Sequence, residues 1–414
     1  MKQCRLLFIS LLYWGALSPS MSQVPLPDAV ISFARAREHI LDHNTGLKST
    51  ATEAEAAEAG IAQAGVLPNP EFAVALERFG ANEIEATVEQ TIELGKKRQL
   101  RTDAARKEFE ATALKGTIVK LELEAEIVRR FIPIVAAGKK IALLDSMIAI
   151  AQATRDQIQM RLEAGASKQT DLIRAEIDIE KLAMEKNGIE RENERARVQF
   201  AALGDTADTA LRNVSGSLAE NSPVPSIDSL RRAVAASPYI SGTTVEYERL
   251  AVKRKELRAE AVPDLAVSAG YLRSNSEGYH APLVGLSMSL PIFNKNRAAQ
   301  RQVDLQQRAA VERRDGDLQR SAAAVDDLYG RLRETDAKRD LLRSSTIPKA
   351  EQVYAMMLAY YNAGNASFLD LTTARSELLQ LRLVVLDLQT ERAQILADLM
   401  QLTSLPITIV SQEE

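Results

Sequence analysis

The sequence is poor in cysteine, in aromatic residues and in long apolar runs, and each shortage excludes a class of protein. Its single cysteine, Cys4, leaves no pair for a disulfide. Aromatic residues make up only 5% of the chain, whereas Ala, Leu, Glu, Arg and Gln are abundant, a composition that favours long helices over compact mixed cores. Beyond the N-terminal leader, no stretch approaches the roughly 18 uninterrupted apolar residues of a membrane-spanning helix.

Motifs of catalysis and of nucleic-acid binding are also missing. The formal net charge is −4, so nothing indicates a nucleic-acid partner. The sequence contains no Gly-rich phosphate loop after a strand, no HExxH and no GxSxG. His39 and His43 are four residues apart and would share a helix face, but no third ligand lies nearby, and an ordinary surface pair explains them better. We therefore predict that the protein is not an enzyme and holds no cofactor or resident metal.

The N-terminus has the pattern of a secretory signal. Two basic residues precede the apolar run 6–17, and small residues follow it up to Ser22. Residues 1–22 are predicted to be a signal peptide cleaved after Ser22, against the alternative of a short buried helix. Cys4 lies in the charged leader rather than at the cleavage site, which argues against a lipid anchor. The mature protein is expected to be exported.

The chain contains one unit twice. Gly165 and Gly364 are 199 residues apart, and so are Asp171 and Asp370. An offset that persists over some forty residues indicates duplication. We predict the following organisation: a first repeat at 23–203, an irregular connector at 204–226, a second repeat at 227–404 and a C-terminal tail at 405–414.

Each repeat is predicted to contain a helix followed by a β-hairpin, at 71–94 and at 264–293. Both segments alternate between apolar and polar or small residues, which is typical of strands. In the first hairpin one face is apolar and the other is acidic. The acidic residues are Glu83, Glu85, Glu89 and Glu93.

A very long helix and a shorter returning helix complete each repeat. The long helical patterns would extend for about 100 Å at 1.5 Å per residue. They contain Pro133 and Pro348, where kinks are expected. Tight turns with Gly165 and Gly364 reverse the chain near 164–167 and 363–367, and we call these turns the two tips. The predicted fold class is therefore mainly α with a small β part.

The predicted elements cannot form a complete structure as a single chain. Four strands are too few for a closed membrane barrel, which needs about eight. Open strand edges cannot stand in lipid, so several chains must pool their strands, and three chains would give a ring of twelve. The long helical hairpins have no core of their own and would gain one by packing side by side in a cylinder.

Several segments of the sequence resemble those of a known protein family. The segments Leu67–Glu71 and Val88–Arg98, with their second-repeat counterparts Val284–Ser287 and Leu290–Arg297, resemble the outer membrane efflux protein (TolC-like) family. The "PNP" and "LGKKR" segments most resemble its heavy-metal, CzcC-like branch. The stretch 361–371 resembles the periplasmic tip of the family.

The resemblance implies a homotrimer in the outer membrane of a Gram-negative cell. A 12-stranded β-barrel in outer membrane lipid would continue into a long periplasmic α-helical barrel. This passive conduit would export heavy-metal cations. Its partners would be a periplasmic adaptor (membrane fusion protein) and an inner-membrane RND pump.

The resemblance also implies roles for individual residues. Asp171 and Asp370 would ring the periplasmic aperture, and Tyr361 would take the aromatic part of a latch by bonding Asp171. Ala366 stands where the family has an arginine. The alternative for both aspartates is that they cap the helices that they begin. The glutamates of the first hairpin would line the barrel lumen, although any water-filled barrel interior is polar.

Two alternatives to metal efflux remain. The same architecture could serve drug efflux or type I protein secretion. A protein of another class, a soluble periplasmic coiled-coil scaffold without a pore, would share the helical pattern.

Overall fold

The computed structural model describes residues 30–77, 83–205, 209–220, 222–274 and 278–411. The predicted signal peptide at 1–22 lies outside these residues. The first repeat is built from β1 (Ile31–Ser32), α1 (Phe33–His43), α2 (Thr45–Ala64), β2 (Glu71–Glu77), β3 (Glu83–Ile92), α3 (Lys97–Glu163) and α4 (Gln169–Ala201).

The connector and the second repeat follow in the predicted order. Two 3-10 turns, Ala202–Gly204 and Thr209–Asn213, lead into short strands. The later elements are β4 (Val214–Ser215), β5 (Ser217–Leu218), α5 (Ile227–Ala235), α6 (Pro238–Ala259), β6 (Leu265–Ser274), β7 (His280–Met288), α7 (Arg297–Leu341), α8 (Ile347–Asn362), α9 (Phe368–Thr403) and β8 (Val410–Ser411).

Capping residues divide the helical patterns that precede each hairpin. Asn44 has extended backbone angles, and its side-chain oxygen accepts from Leu47 N at 3.0 Å, so it ends α1 and starts α2. In the second repeat Ser237 and Pro238 perform the same division, with Pro238 in the first turn of α6. Each repeat therefore begins with a short helix and a longer one.

Proline has a different effect on the backbone of each long helix. Helix α3 continues for 67 residues through Pro133, whose ring lies on the exposed side of an otherwise buried stretch. Helix α7 ends at Leu341, and a π-helical turn, Leu342–Thr346, precedes Pro348 in α8. A π turn accommodates the hydrogen bond that a proline interrupts.

Helix α3 is the centre of the helical layer. It packs against α2 and α6 along one part of its length and against α4 and α9 along another. The largest core surrounds Phe131 and Phe200, whose ring centroids are 6.0 Å apart, with Leu399 of α9 beside them. Two smaller cores lie between the helical hairpins, one at the level of Leu144 and one at the tips around Tyr361.

The connector and the tail are more ordered than the sequence suggests. Strand β4 pairs in parallel with β1, and β5 pairs with β8 of the C-terminal tail in antiparallel fashion. Only two residues of each strand pair, so no alternating pattern could identify them. The pairing brings three distant parts of the chain together around the largest core.

The two predicted hairpins join into one antiparallel sheet in the order β2-β3-β6-β7. The join between repeats is direct, because Val88 of β3 is the partner of Ala269 in β6. None of the helices in the described part of the chain combines the length and the apolar character that a membrane crossing requires.

Candidate functional site

One face of the four-stranded sheet is apolar and exposed. The register places Phe72, Val88, Ala269 and Val284 in one row across the four strands. Val284 is 83% exposed, and the large side chains of neighbouring rows are exposed as well. They include Val74, Leu76, Ile84, Ile92, Tyr271, Leu286 and Met288. A continuous surface of this kind marks a site of contact with lipid or with another apolar surface.

Gln90 is the one polar residue of β3 on the apolar face of the sheet. Its side-chain amide nitrogen donates to Pro68 O and to Thr91 O, each at 3.0 Å. The amide therefore binds the backbone of the loop that precedes β2. Its hydrogen-bond donors are satisfied without water.

The opposite face of the sheet is acidic on β2 and β3. Glu83, Glu85 and Glu89, predicted from sequence, lie on it and are half-buried. Two further glutamates, missed in the sequence, occupy the opposite positions of the strand register: Glu71 is the partner of Glu89, and Glu77 is the partner of Glu83. Like charges in direct cross-strand positions destabilise a sheet. Their presence here indicates a surface that water or cations must solvate.

Mostly small residues form the same face on β6 and β7, with Leu272 and Leu283 as the larger exceptions. Gly270 lies opposite Thr87, and a Cβ atom at this position would lie 2.5 Å from Ala86 O. A Cβ at Gly285 would lie 2.5 Å from the Ser268 hydroxyl. The two glycines therefore allow the close strand packing of this half. Acidic groups are concentrated on one half of the face and absent from the described part of the other.

Glu93 does not share this face, because β3 ends one residue before it. Its carboxylate accepts from the Arg101 guanidinium at 2.6 Å. Arg101 also donates to Ala64 O, at the last residue of α2, and to Val66 O, two residues beyond it. Glu93 therefore fixes the junction of α2, β3 and α3, and its charge is already neutralised.

The two tips have the same backbone. Gly165 and Gly364 adopt φ angles of 73° and 79°, which favour glycine. After each glycine an amide donates back to the carbonyl five residues earlier: Ala166 N to Arg161 O at 2.7 Å, and Asn365 N to Tyr360 O at 2.8 Å. These bonds are those of a Schellman helix end.

Tyr361 connects the two tips within one chain. It is only 6% exposed, and its ring lies 6.1 Å from that of Phe368. Its hydroxyl lies near the Ser167 side chain, and Asp171 acts on it through charge. Burial is the main cause of its raised pKa, and the negative charge of Asp171 raises the pKa further.

Arg161 of the first tip binds the backbone of the second. Its guanidinium donates to Tyr361 O at 3.2 Å and to Asn362 O at 3.0 Å, and it lies 5.3 Å from the centre of the Tyr361 ring. These carbonyls are at the C-terminal end of α8, where a cation is favoured. Ala366 carries no charge. The positive charge at the second tip comes instead from Arg161 of the first repeat.

The two aspartates occupy equivalent places in different surroundings. Each is the third residue of its helix. Asp370 forms a capping box with Ser367, since its carboxylate accepts from Ser367 N at 3.0 Å and from the hydroxyl at 2.7 Å. These bonds lower the pKa of Asp370. Asp171 follows Lys168, whose side chain makes no cap.

Above the tips, Arg375 of α9 forms an ion pair with Asp178 of α4. Arg375 is 5% exposed, and burial lowers its pKa. The sequence holds a signal for this pair, because Arg375 falls within the apolar stripe that contains Leu371 and Leu378. A buried charge at such a position requires a partner.

The comparisons with known proteins agree with this geometry. Residues 230–404 match the family model described as outer membrane efflux protein. The chain is 26% identical over 346 residues to the cobalt-zinc-cadmium resistance protein CzcC of Cupriavidus metallidurans, with 82% of each chain covered. The chain is thus similar to the outer membrane efflux protein family, by the family model over its second repeat and by CzcC over most of its length. The resemblance drawn from the sequence is thereby confirmed.

Other proteins that resemble this chain have related names or the same fold. The nickel and cobalt resistance protein CnrC of Cupriavidus metallidurans is 24% identical, with 71% of each chain covered. The crystal structure of the outer membrane protein VceC of Vibrio cholerae superposes with a TM-score of 0.73 at 16% identity, covering 90% of this chain and 95% of that one. The mainly helical fold with few strands is thus also the fold of that outer membrane protein.

The described residues of this chain contain no arrangement of side chains that could form a metal centre. Within them, no group of three or more His, Cys, Asp or Glu side chains could hold a metal ion. The His39 and His43 rings stack at 4.2 Å, and His43 Nδ1 lies 2.9 Å from His39 O. The two rings therefore pair with each other and with the backbone of α1.

Proposed function

We propose that this chain is the outer membrane channel of a tripartite efflux system that exports heavy-metal cations. Relatives named for resistance to cobalt, zinc, cadmium and nickel support the class of cargo. In this proposal the channel is passive, and an inner-membrane RND pump supplies the energy through a periplasmic adaptor. The protein crosses the outer membrane and extends into the periplasm.

The observation that carries the proposal is a sheet with two open edges and two unlike faces. Within the described residues, the outer edges of β2 and β7 have no partner strand. Edges of this kind must be paired before a sheet can stand in lipid. Three copies would close a ring of twelve strands with the apolar face toward lipid. The helical hairpins would then close into a second cylinder below the ring.

In this trimer the acidic face lines the lumen. Glu83, Glu85 and Glu89, together with Glu71 and Glu77, would place a ring of carboxylates around the bore. Clustered negative charge raises the local concentration of cations. In this proposal Glu93 contributes less than the other glutamates to the lumen charge, because Arg101 binds its carboxylate.

The tips form the periplasmic aperture of the proposed channel. Asp171 and Asp370 from three copies would bring six carboxylates to one constriction, with Tyr361 beside them. Asp370 also caps α9, so the aperture and capping roles coincide in one residue. Asp171 has no capping partner at Lys168, and its charge is the freer of the two to act on ions.

Deletion of the gene tests the cargo. The deletion strain should become sensitive to one or more of cobalt, zinc, cadmium, nickel and copper and should keep its resistance to a drug panel. Sensitivity to drugs alone would contradict metal efflux while leaving the channel intact. A protein that washes off membranes without detergent would contradict the channel itself.

Lumen charge is tested in planar bilayers. The triple variant Glu83→Gln/Glu85→Gln/Glu89→Gln should lose cation selectivity. The matched control Glu53→Gln/Glu55→Gln/Glu58→Gln removes the same charge from α2, outside the sheet, and should keep it. Equal selectivity in the two variants would place the acidic face outside the lumen.

A further inference from the structure

The long helix of the second repeat is interrupted at a level where that of the first repeat is continuous. The π-helical turn Leu342–Thr346 separates α7 from α8, and Pro348 follows it. The offset of 199 that relates the two tips makes residues 143–147 its counterpart, and α3 runs through them without a break. There Leu144 and Met147 are almost fully buried, whereas the π turn has no buried residue. Apolar burial therefore holds this level of α3, and the π turn lacks an equivalent.

Part of the connector crosses the helices beside the π turn. Three of its residues form what we call the strap: Ala219, Glu220 and Ser222. The Glu220 carboxylate accepts from Arg343 of the π turn at 3.1 Å and from Lys139 of α3 at 3.3 Å. Gln389 of α9 donates to the same carboxylate at 3.5 Å. One side chain therefore connects the π turn to two other helices.

Two buried arginines hold the backbone of the strap against the helices. Arg339 of α7 donates to Glu220 O at 3.4 Å, and Arg392 of α9 donates to Ser222 O at 3.1 Å. Both guanidinium groups also pair with the carboxylate of Asp336, at 3.1 and 2.9 Å. A buried charge needs such a partner, and here the pairing aims both arginines at the strap.

The C-terminal tail binds the strap from the other side. Ala219 N donates to Ile409 O at 2.9 Å, and the Ser222 hydroxyl donates to Thr408 O. The position of the strap is thus fixed by the tail and by the two arginines, without any contribution from the π turn. Glu220 is held in place to bind the turn.

We propose that the strap locks the second repeat in one conformation, because Glu220 holds the π turn and with it the angle between α7 and α8. Single ion pairs between half-exposed side chains contribute little, but one carboxylate that serves several donors forms a network. Glu220 is a positioning residue that acts through Arg343. The hold on the π turn stands by itself, whereas its effect on a pore rests on the proposed function.

Hydrogen exchange measured by mass spectrometry tests the hold on the π turn. The detergent-solubilised Glu220→Gln variant is compared with the natural protein. Exchange at residues 342–347 should rise roughly 3- to 10-fold, as expected when a network of weak pairs is lost from a segment without buried side chains. Exchange at residues 143–147 of α3 should stay unchanged, because buried apolar side chains hold that stretch.

Asp387→Asn is the matched control. Asp387 of α9 pairs with Lys140 of α3 at 2.6 Å, and Lys140 is the neighbour of the lysine that binds Glu220. The control therefore removes the same charge and a contact between α3 and α9, while the contacts of the strap stay intact. Its exchange at residues 342–347 should equal that of the natural protein.

Single-channel recording in planar bilayers tests whether the lock sets the position of α8. Helix α8 ends at the second tip, so Glu220→Gln should shift the distribution of conductance levels. Glu220→Asp keeps the charge and should restore part of the natural distribution, and Asp387→Asn should leave it unchanged. A loss of stability alone would not change the conductance of the channels that remain folded.

The other outcomes overturn the lock in distinguishable ways. Unchanged exchange at residues 342–347 in Glu220→Gln, or an equal rise in Asp387→Asn, would show that the strap does not hold the π turn. Faster exchange with unchanged conductance would make the strap a brace that does not set the position of α8. If the natural protein forms no channel, the proposed function fails, and the exchange measurement still decides whether the strap holds the turn.

Discussion

The two tips share a backbone but differ in how they hold their aspartates. Both close with a glycine at positive φ and the same backward hydrogen bond. At the second tip Ser367 is the helix cap and binds Asp370, whereas at the first tip Lys168 stands at the cap position. The serine of the first tip, Ser167, comes one residue earlier and lies near the Tyr361 hydroxyl instead. A shift of one residue therefore converts a helix cap into a contact between repeats.

The two repeats therefore stabilise the tip region through different contacts. The second tip stabilises itself through its capping box. The first repeat supplies Arg161 and Ser167 at its tip and Asp178 above the tip, and all three act on the second repeat. Duplication preserved the turn geometry, which depends on the glycine, while the side chains around it diverged.

The largest effect is expected from breaking the buried link between the helical hairpins. Arg375→Ala leaves Asp178 without its partner, and loss of one member of a buried pair costs about 3–5 kcal/mol. Urea titration of the detergent-solubilised protein measures the free energy of unfolding. The double variant Arg375→Met/Asp178→Leu should recover most of the loss. A double variant as unstable as Arg375→Ala would mean that packing, not charge, explains the effect.

A smaller loss is expected from Arg161→Ala. The variant removes two hydrogen bonds from the half-buried Arg161 guanidinium to the end of α8. A typical intramolecular hydrogen bond contributes a net of about 0.5–1.5 kcal/mol, so the loss should be about 1–3 kcal/mol. The same titration measures it. Arg155→Ala is the control, because Arg155 pairs only with the adjacent Asp156 among the described residues and should change stability by less than about 0.5 kcal/mol. Equal effects of the two variants would remove Arg161 from the link between tips.

Exchanging the caps tests the comparison directly. Ser367→Ala should destabilise the protein by about 1 kcal/mol, since it removes the side-chain cap of α9. Lys168→Ser should stabilise it by roughly 0.5–1 kcal/mol, because it gives α4 the cap it lacks. Amide hydrogen exchange in the first turn of each helix locates the effect. Loss of protection in α9 on Lys168→Ser, or no gain in α4, would contradict the assignment.

The smallest effect is a pH dependence confined to the second tip. Ser367 lowers the pKa of Asp370 in the folded protein, so the carboxylate adds stability above the ordinary aspartate pKa of about 4. That contribution is lost as pH falls through the lower, folded pKa. The difference in Tm between the natural protein and Asp370→Asn should therefore be present at neutral pH and vanish in acid. A difference that persists at the lowest pH would show that the charge of Asp370 is not its source.

Much of the fold could be predicted from sequence because the signals are local. Alternation in residues 83–92 identifies β3 and both of its faces, and the register observed across β2, β3, β6 and β7 agrees with that division. The tips were found because glycine and aspartate recur at a fixed offset. The short strands β4, β5 and β8 were missed, since two residues carry no period.

In the candidate site, too, some residues follow from local sequence and others only from the packing of distant segments. The acidic residues of β3 and the aspartates of the tips follow from their own sequence neighbourhoods. Glu71 and Glu77 became part of the acidic face only through strand pairing. Arg161 and Arg375 act across nearly 200 residues, and their partners follow from packing between hairpins.

The sequence by itself determined the duplicated unit, the two faces of the first hairpin and the glycine turns, because these depend on periodicity and on the conformational freedom of single residues. Only the tertiary structure decided which charges are already satisfied. Glu93 resembles a free carboxylate in the sequence, yet Arg101 binds it, and Asp178 meets Arg375 across nearly 200 residues. The partner of a charge is set by distance in space, and a helix about 100 Å long brings distant residues together in ways that local pattern does not encode.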